Sequence, residues 1–136
     1  MSDLIDALEQ DHREILGHLL RIRAADYRRD VSLSELRQAR DKFLRHVGRD
    51  EQAVFRPLQA HAAHATMGRQ SQRQMQALTK EMLAFFDRYG QPEGPALGIE
   101  FAMDLGRLTQ RLRHRMQFEE DRLYPLVRGM QTAVHV

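Results

Sequence analysis

The chain of 136 residues contains no cysteine. Without cysteine there can be no disulfide bond, no thiolate metal site and no catalysis by a thiol. Any bound metal must therefore be held mainly by histidine, aspartate or glutamate, and the chain has seven histidines and 19 acidic residues.

Long apolar runs are also missing. No stretch approaches the roughly 18 apolar residues of a membrane span, and the first turns carry acidic residues where a signal peptide would be apolar. Hydrophobic residues make up 42% of the chain and charged residues 29%, as in soluble globular proteins. We expect one cytoplasmic domain over residues 1–136, with no membrane partner.

An excess of one charge sign is absent as well, since 21 basic and 19 acidic residues give a net charge of +2. Arginines do cluster in two places, within residues 21–29 and residues 107–115. Clustered arginines can contact nucleic acid, but acids are interleaved through the rest of the chain. We interpret the clusters as solvated helix faces and expect no nucleic-acid partner.

Apolar residues recur at helical spacing in four segments, and no segment has the pattern of a strand. The predicted helices cover about residues 3–28, 32–60, 67–89 and 99–127, and Ser32 with Glu35 forms a predicted capping box. Residues 90–98, with Pro92 and Pro95, are the clearest loop. Short connections between amphipathic helices predict an all-α fold, an antiparallel up-down four-helix bundle.

Two stretches of the chain resemble each other at an offset of 68 residues. Residues 44–58 and 112–126 share six of fifteen positions, where chance would give about one. Each contains a histidine, a glutamate five residues later and a proline six residues after that. The glutamates are Glu51 and Glu119, and the histidines are His46 and His114.

Polar residues lie on the apolar faces of three predicted helices. Counting back from a turn near Val31 puts His12 level with Asp50 and Glu51, to within about one helical turn, and Glu119 lies at the centre of the last apolar face. Buried carboxylates are costly unless they are paired or bind metal. The alternative to a metal site is a polar core network, with Glu119 paired to Arg115 and His12 to Glu51.

The five-residue spacing leaves two possibilities open. On a regular α-helix His114 points away from the face of Glu119 by more than a right angle. A helix widened into a π-turn aligns residues five apart, and such turns favour functional sites. Either π-turns bring His46 and His114 inward, or the two histidines lie outside and the site has lost ligands.

These features resemble the hemerythrin-like family of HHE cation-binding domains over nearly the whole chain. The matching motifs are Asp11-His12, His46 with Asp50 and Glu51, and His114 with Glu119-Glu120 before Leu123-Tyr124-Pro125. The resemblance implies a four-helix bundle with a non-haem di-iron centre that binds oxygen or nitric oxide, or that serves sensing or iron handling. The metal ligands that it implies are His12, His46, Asp50, Glu51, His64, His114 and Glu119.

The chain departs from the family pattern in its second and third helices and before Glu119. The family commonly has a histidine four residues before its glutamate, where this chain has Val47 and Arg115. His46 instead stands four residues before Asp50. Either Asp50 or Glu51 is therefore the ligand in the second helix. The third helix offers only Ser71, Gln74 and Met75, and His61 or His64 would have to substitute.

These departures support an alternative function, in which a metal-depleted relative acts as a regulatory protein-interaction module. No nucleophile–base pair or phosphate loop is visible, so we favour binding over catalysis. The sequence identifies no protein partner.

Overall fold

The computed structural model describes residues 3–134, which form four helical rods. The first rod is α1 (Asp3–Ala24); the second is α2 (Arg29–Asp50), a π-turn (Glu51–Phe55) and α3 (Arg56–Ala60); the third is α4 (Ala65–Tyr89); the fourth is α5 (Ile99–Phe118), a π-turn (Glu119–Leu123) and α6 (Tyr124–Val134). The described residues include no strand. The predicted all-α four-helix bundle is confirmed.

The rods pack in a ring. α1 packs against α2 and α5, and α4 packs against the same two helices, so that each rod contacts its neighbours in the chain and the fourth closes on the first. Their apolar faces meet in one core, which includes Leu8, Ile15, Phe43, Leu58, Met82, Phe101 and Leu112. Burying a large apolar side chain contributes about 1.5–3 kcal/mol, which offsets the cost of the polar groups held inside. None of the described helices is both long enough and apolar enough to cross a membrane.

The connection between the first and second rods begins earlier in the chain than the sequence predicted. α1 ends at Ala24, not Arg28, because Asp26 and Tyr27 adopt left-handed backbone angles, with φ of 53° and 59°, and non-glycine residues in that region cannot continue a right-handed helix.

The predicted capping box is wrong because the second helix begins before Ser32. α2 already begins at Arg29, so Ser32 is a buried residue inside the helix and makes no side-chain cap. Its backbone N–H donates to the carbonyl of Arg28 at 2.8 Å. The carboxylate of Glu35 instead accepts a hydrogen bond from Arg21 Nε at 3.1 Å and lies 2.5 Å from His18 Nδ1.

Both π-turns begin at the repeated glutamates. The carbonyl of Glu51 accepts a hydrogen bond from the N–H of Arg56, and the carbonyl of Glu119 accepts one from Tyr124, five residues later in each case. A proline follows each turn, and its ring would crowd the carbonyl four residues earlier in a regular helix. We attribute the widened turns to that crowding, so the sequence repeat is also a repeat of local structure.

Candidate metal centre

Three buried side chains from three rods meet in the middle of the bundle. They are His12 of α1, His46 of α2 and Glu119 at the start of the second π-turn, each at most 2% exposed. The Nε2 atom of His12 lies 3.1 Å from Nε2 of His46 and 2.9 Å from Oε1 of Glu119. One ligand atom from each residue lies within 4.8 Å of the other two, a spacing that could hold a metal ion.

Asp50 and Tyr124 complete this cluster. Asp50 follows His46 by one helical turn, and its Oδ2 lies 3.1 Å from His46 Nε2. The Tyr124 hydroxyl lies 3.1 Å from His12 Nε2, from Asp50 Oδ1 and from Glu119 Oε1. The π-turn places Tyr124 on the face of Glu119 although the two are five residues apart. Tyr124 is not among the site residues predicted from the sequence, and the signal that indicates it is the five-residue spacing from Glu119 across a π-turn.

Carboxylates on the outer side orient both imidazoles. Nδ1 of His12 lies 2.6 Å from Oε2 of Glu120, and Nδ1 of His46 lies 3.1 Å from Oδ2 of Asp11. An imidazole that donates its Nδ1 proton to a carboxylate presents a lone pair at Nε2, the arrangement that is usual for metal-bound histidine. With both Nδ1 atoms turned outward to carboxylates, the two Nε2 atoms face the same small space.

The electrostatics of the cluster favour a positive charge at its centre. Burial raises the pKa of Glu119, but hydrogen bonds with His12 and His46 outweigh burial and hold that pKa well below its ordinary value. Burial and the neighbouring charge of Glu119 raise the pKa of Asp50. Burial lowers the pKa of His46, yet hydrogen bonds to carboxylates, first that of Asp11, raise it well above its ordinary value. Protons or a metal ion can supply the charge that these groups require.

The donor atoms have the spacing that a metal ion needs. Atoms that share one ion at about 2.1 Å are about 3.0–3.4 Å apart in octahedral or tetrahedral geometry, and the separations of the imidazole nitrogens from each other and from the carboxylate oxygens are 2.9–3.5 Å. Asp50 Oδ2 is buried, and its 3.1 Å contact with His46 Nε2 lacks the angles of a good hydrogen bond. Imidazole and carboxylate donors together suit iron, manganese or zinc. The residues present therefore fit a metal ion.

His114 does not join the cluster; it is exposed. The π-turn begins at Glu119, so the helix between His114 and Glu119 is a regular α-helix that keeps the two side chains on different faces. His46 lies inward and His114 outward, but no π-turn brings His46 inward, because α2 is a regular helix as far as Asp50.

Glu51 and His64 also lie away from the cluster. Glu51 is 35% exposed, and its two oxygens accept hydrogen bonds from Gln72 Nε2 at 2.8 and 2.7 Å instead of contacting His12. Of the pair Asp50 and Glu51, the structure brings only Asp50 to His46. His64 lies in the loop before α4, where its ring stacks on that of His61 at 4.7 Å between centroids.

Arg115 contacts the opposite side of Glu119, as the polar-network alternative predicted. Arg115 Nε donates to Glu119 Oε2 at 3.3 Å, and the side chain is 8% exposed. The cluster thus combines a set of metal donors with one internal cation, and neither feature excludes the other.

Comparison with known proteins identifies a family. The family model described as hemerythrin HHE cation binding domain matches residues 3–127. No curated protein and no solved structure matches the chain. The matched range includes every residue of the cluster.

Proposed function

The chain belongs to the hemerythrin HHE cation-binding domain family, and on that premise we propose that it binds non-haem iron through His12, His46, Asp50 and Glu119. One observation carries the proposal: the Nε2 atoms of both imidazoles and a Glu119 oxygen converge in a buried space, while outer carboxylates hold each imidazole from behind. Bound iron would supply an ion able to take a small ligand.

The proposed role is reversible binding or sensing of a diatomic molecule, oxygen or nitric oxide. The burial of the cluster supports it, because side chains at most 2% exposed are closed to a large organic substrate. The Tyr124 hydroxyl, which contacts three of the four proposed ligands, is positioned to donate a hydrogen bond inside the site.

A second candidate is a metal-free regulatory module that binds another protein. The pairing of Arg115 with Glu119 favours it, since a fixed cation already neutralises part of the buried negative charge. In that case His46, whose pKa is raised against the effect of burial by hydrogen bonds to carboxylates, holds a proton in place of a metal ion.

Metal analysis of the purified protein distinguishes these two functions. We expect iron in protein isolated from iron-supplied cells, with visible absorption that changes when oxygen or nitric oxide is added to the anaerobic ferrous protein. His12→Ala should abolish metal binding, and His114→Ala, a change in an exposed histidine, should leave it intact. Folded wild-type protein without metal, even after reconstitution with ferrous iron, would exclude the iron-binding function and favour the metal-free module.

A further inference from the structure

The inward faces of the second and fourth rods carry equivalent residue pairs. His46 and Asp50 are four residues apart and buried, and Arg115 and Glu119 are also four residues apart and buried. The two pairs are related by 69 residues, one more than the offset of the sequence repeat. One residue corresponds to about 100° of rotation about the helix axis, so the fourth rod turns a different face inward from the one that the sequence repeat would give. In the structure Arg115, and not His114, is therefore the counterpart of His46.

The groups that neighbouring rods place beside His46 and beside Arg115 also differ. Next to His46 the first rod supplies the imidazole of His12. Next to Arg115 the third rod supplies the backbone carbonyl of Ser71 at 3.0 Å and the amide oxygen of Gln74 at 3.4 Å. The half of the centre near His46 thus presents two imidazoles and a carboxylate, and the half near Arg115 presents two neutral oxygens and one Glu119 oxygen around a cation.

The guanidinium of Arg115 is held firmly in place. It hydrogen-bonds to Glu119, Ser71 and Gln74 and lies 5.8 and 5.5 Å from the ring centroids of Phe55 and Phe118. A guanidinium stays charged at any relevant pH, so a metal ion placed on this side would meet a fixed like charge at short range.

We propose that Arg115 takes the place of a second metal ion, so that the centre binds one divalent ion per chain. This inference rests on the proposed iron-binding function. Charge balance supports it: when they bind the ion as carboxylates, Asp50 and Glu119 carry two negative charges inside the cluster, Glu120 adds a third, and Asp11 is paired with Arg49. Arg115 and one divalent ion neutralise these three charges together, whereas a second divalent ion would leave a buried excess of two positive charges.

The number of metal ions per folded chain tests the proposal directly. Wild-type protein is reconstituted anaerobically with excess ferrous iron, and separately with cobalt(II), freed of loosely bound ions and measured by elemental analysis. One ion per chain supports the proposal. Two ions would overturn it and leave the iron-binding function standing, whereas no bound ion would overturn both.

Variants of Arg115 separate its charge from a purely structural role. Arg115→Met, similar in length but neutral, should tighten cobalt(II) binding by about tenfold or more, because it removes a like charge near the ion. Arg115→Lys keeps the charge and should bind the ion as the wild type does. Arg111→Met, one turn earlier on the exposed face where Arg111 pairs with Glu81, should change the affinity by less than about twofold.

Binding by Arg115→Met that is weaker than or equal to that of the wild type would show that Arg115 only supports the fold, and the proposal would fail. If Arg115→Met does not fold, the wild-type stoichiometry and the Arg115→Lys affinity still decide it, since cobalt(II) binding lost in the folded lysine variant would also contradict a role for the charge.

Discussion

Tyr124 supplies the hydroxyl proton nearest to the two buried carboxylates of the cluster. Its oxygen lies 3.1 Å from Asp50 Oδ1 and 3.1 Å from Glu119 Oε1, and one proton can serve only one of these acceptors at a time. Burial and the charges of Glu119 and Asp50 raise the pKa of Tyr124, so the hydroxyl keeps its proton and acts as a donor. A metal ion bound by the same carboxylates would make this donor less important.

Tyr124→Phe should therefore destabilise the metal-free protein more than the metal-loaded protein. Leaving a buried carboxylate without its donor costs about 1–3 kcal/mol, and we expect a smaller loss when a divalent ion is bound. Urea unfolding of both forms measures the difference. Tyr89→Phe is the matched control, because the Tyr89 hydroxyl lies outside the cluster and donates to Asp104 at 2.8 Å. The stability lost in this variant should be the same with and without metal. An equal or larger loss in the loaded Tyr124→Phe protein would instead indicate a phenol that acts on the metal.

At the scale of the helices, the second π-turn and the proline after it depend on each other. The turn gives five residues the rotation that four residues have in an α-helix, so Glu119 and Tyr124 share a face. Deleting exposed Asp121 removes the extra residue and should convert the π-turn into a regular α-helix. The residues after it should still face the same neighbours as in the wild type. The deletion also returns Pro125 to a position where its ring crowds a carbonyl.

We predict that deletion of Asp121 lowers the free energy of unfolding by about 3 kcal/mol, the cost of a proline inside a helix. Adding Pro125→Ala should recover most of this loss, as measured by chemical unfolding followed by circular dichroism. The control is deletion of exposed Gln110 in α5, which rotates the two halves of the fourth rod by about 100° and should prevent folding. If the Asp121 deletion is as damaging as the Gln110 deletion and Pro125→Ala does not rescue it, the turn has a role other than accommodating the proline.

At the scale of the whole molecule, the proposed metal ligands join three of the four rods. His12 comes from the first rod, His46 and Asp50 from the second and Glu119 from the fourth. Because these residues come together only in the folded bundle, an ion that binds them stabilises the folded state over the unfolded chain.

Metal should therefore raise the unfolding temperature of the wild type. Free divalent ion at 100 times its dissociation constant contributes about 2.7 kcal/mol, which for a chain of this size corresponds to a rise of about 5–10 °C. Differential scanning calorimetry with cobalt(II) and with a chelator measures it. Under the same conditions His46→Ala should show no rise, and His64→Ala, outside the cluster, should behave as the wild type does. A similar rise in the His46→Ala protein would place the bound ion elsewhere.

Much of this protein could be predicted from local sequence patterns. The spacing of apolar residues predicted four helices and their bundle, because each helix must bury one face. The same spacing placed His12 and Glu119 on buried faces, where the structure has them. The His-to-Glu spacing of the repeat left open a π-turn between each histidine and its glutamate; the structure has π-turns in both stretches, but they begin at the glutamates.

Tertiary packing alone decided which side chains of the repeat face the interior. Periodicity fixes the angles between residues along one rod, but the rotation of that rod about its own axis depends on how its neighbours pack, and one residue corresponds to about 100°. That rotation brought His46 and Asp50 inward on the second rod and Arg115 and Glu119 inward on the fourth, while Glu51 and His114 moved away from the centre. The contacts of Tyr124 with His12 and Asp50, and of Arg115 with Ser71 and Gln74, join residues from different rods, and for that reason no pattern within a single helix could reveal them.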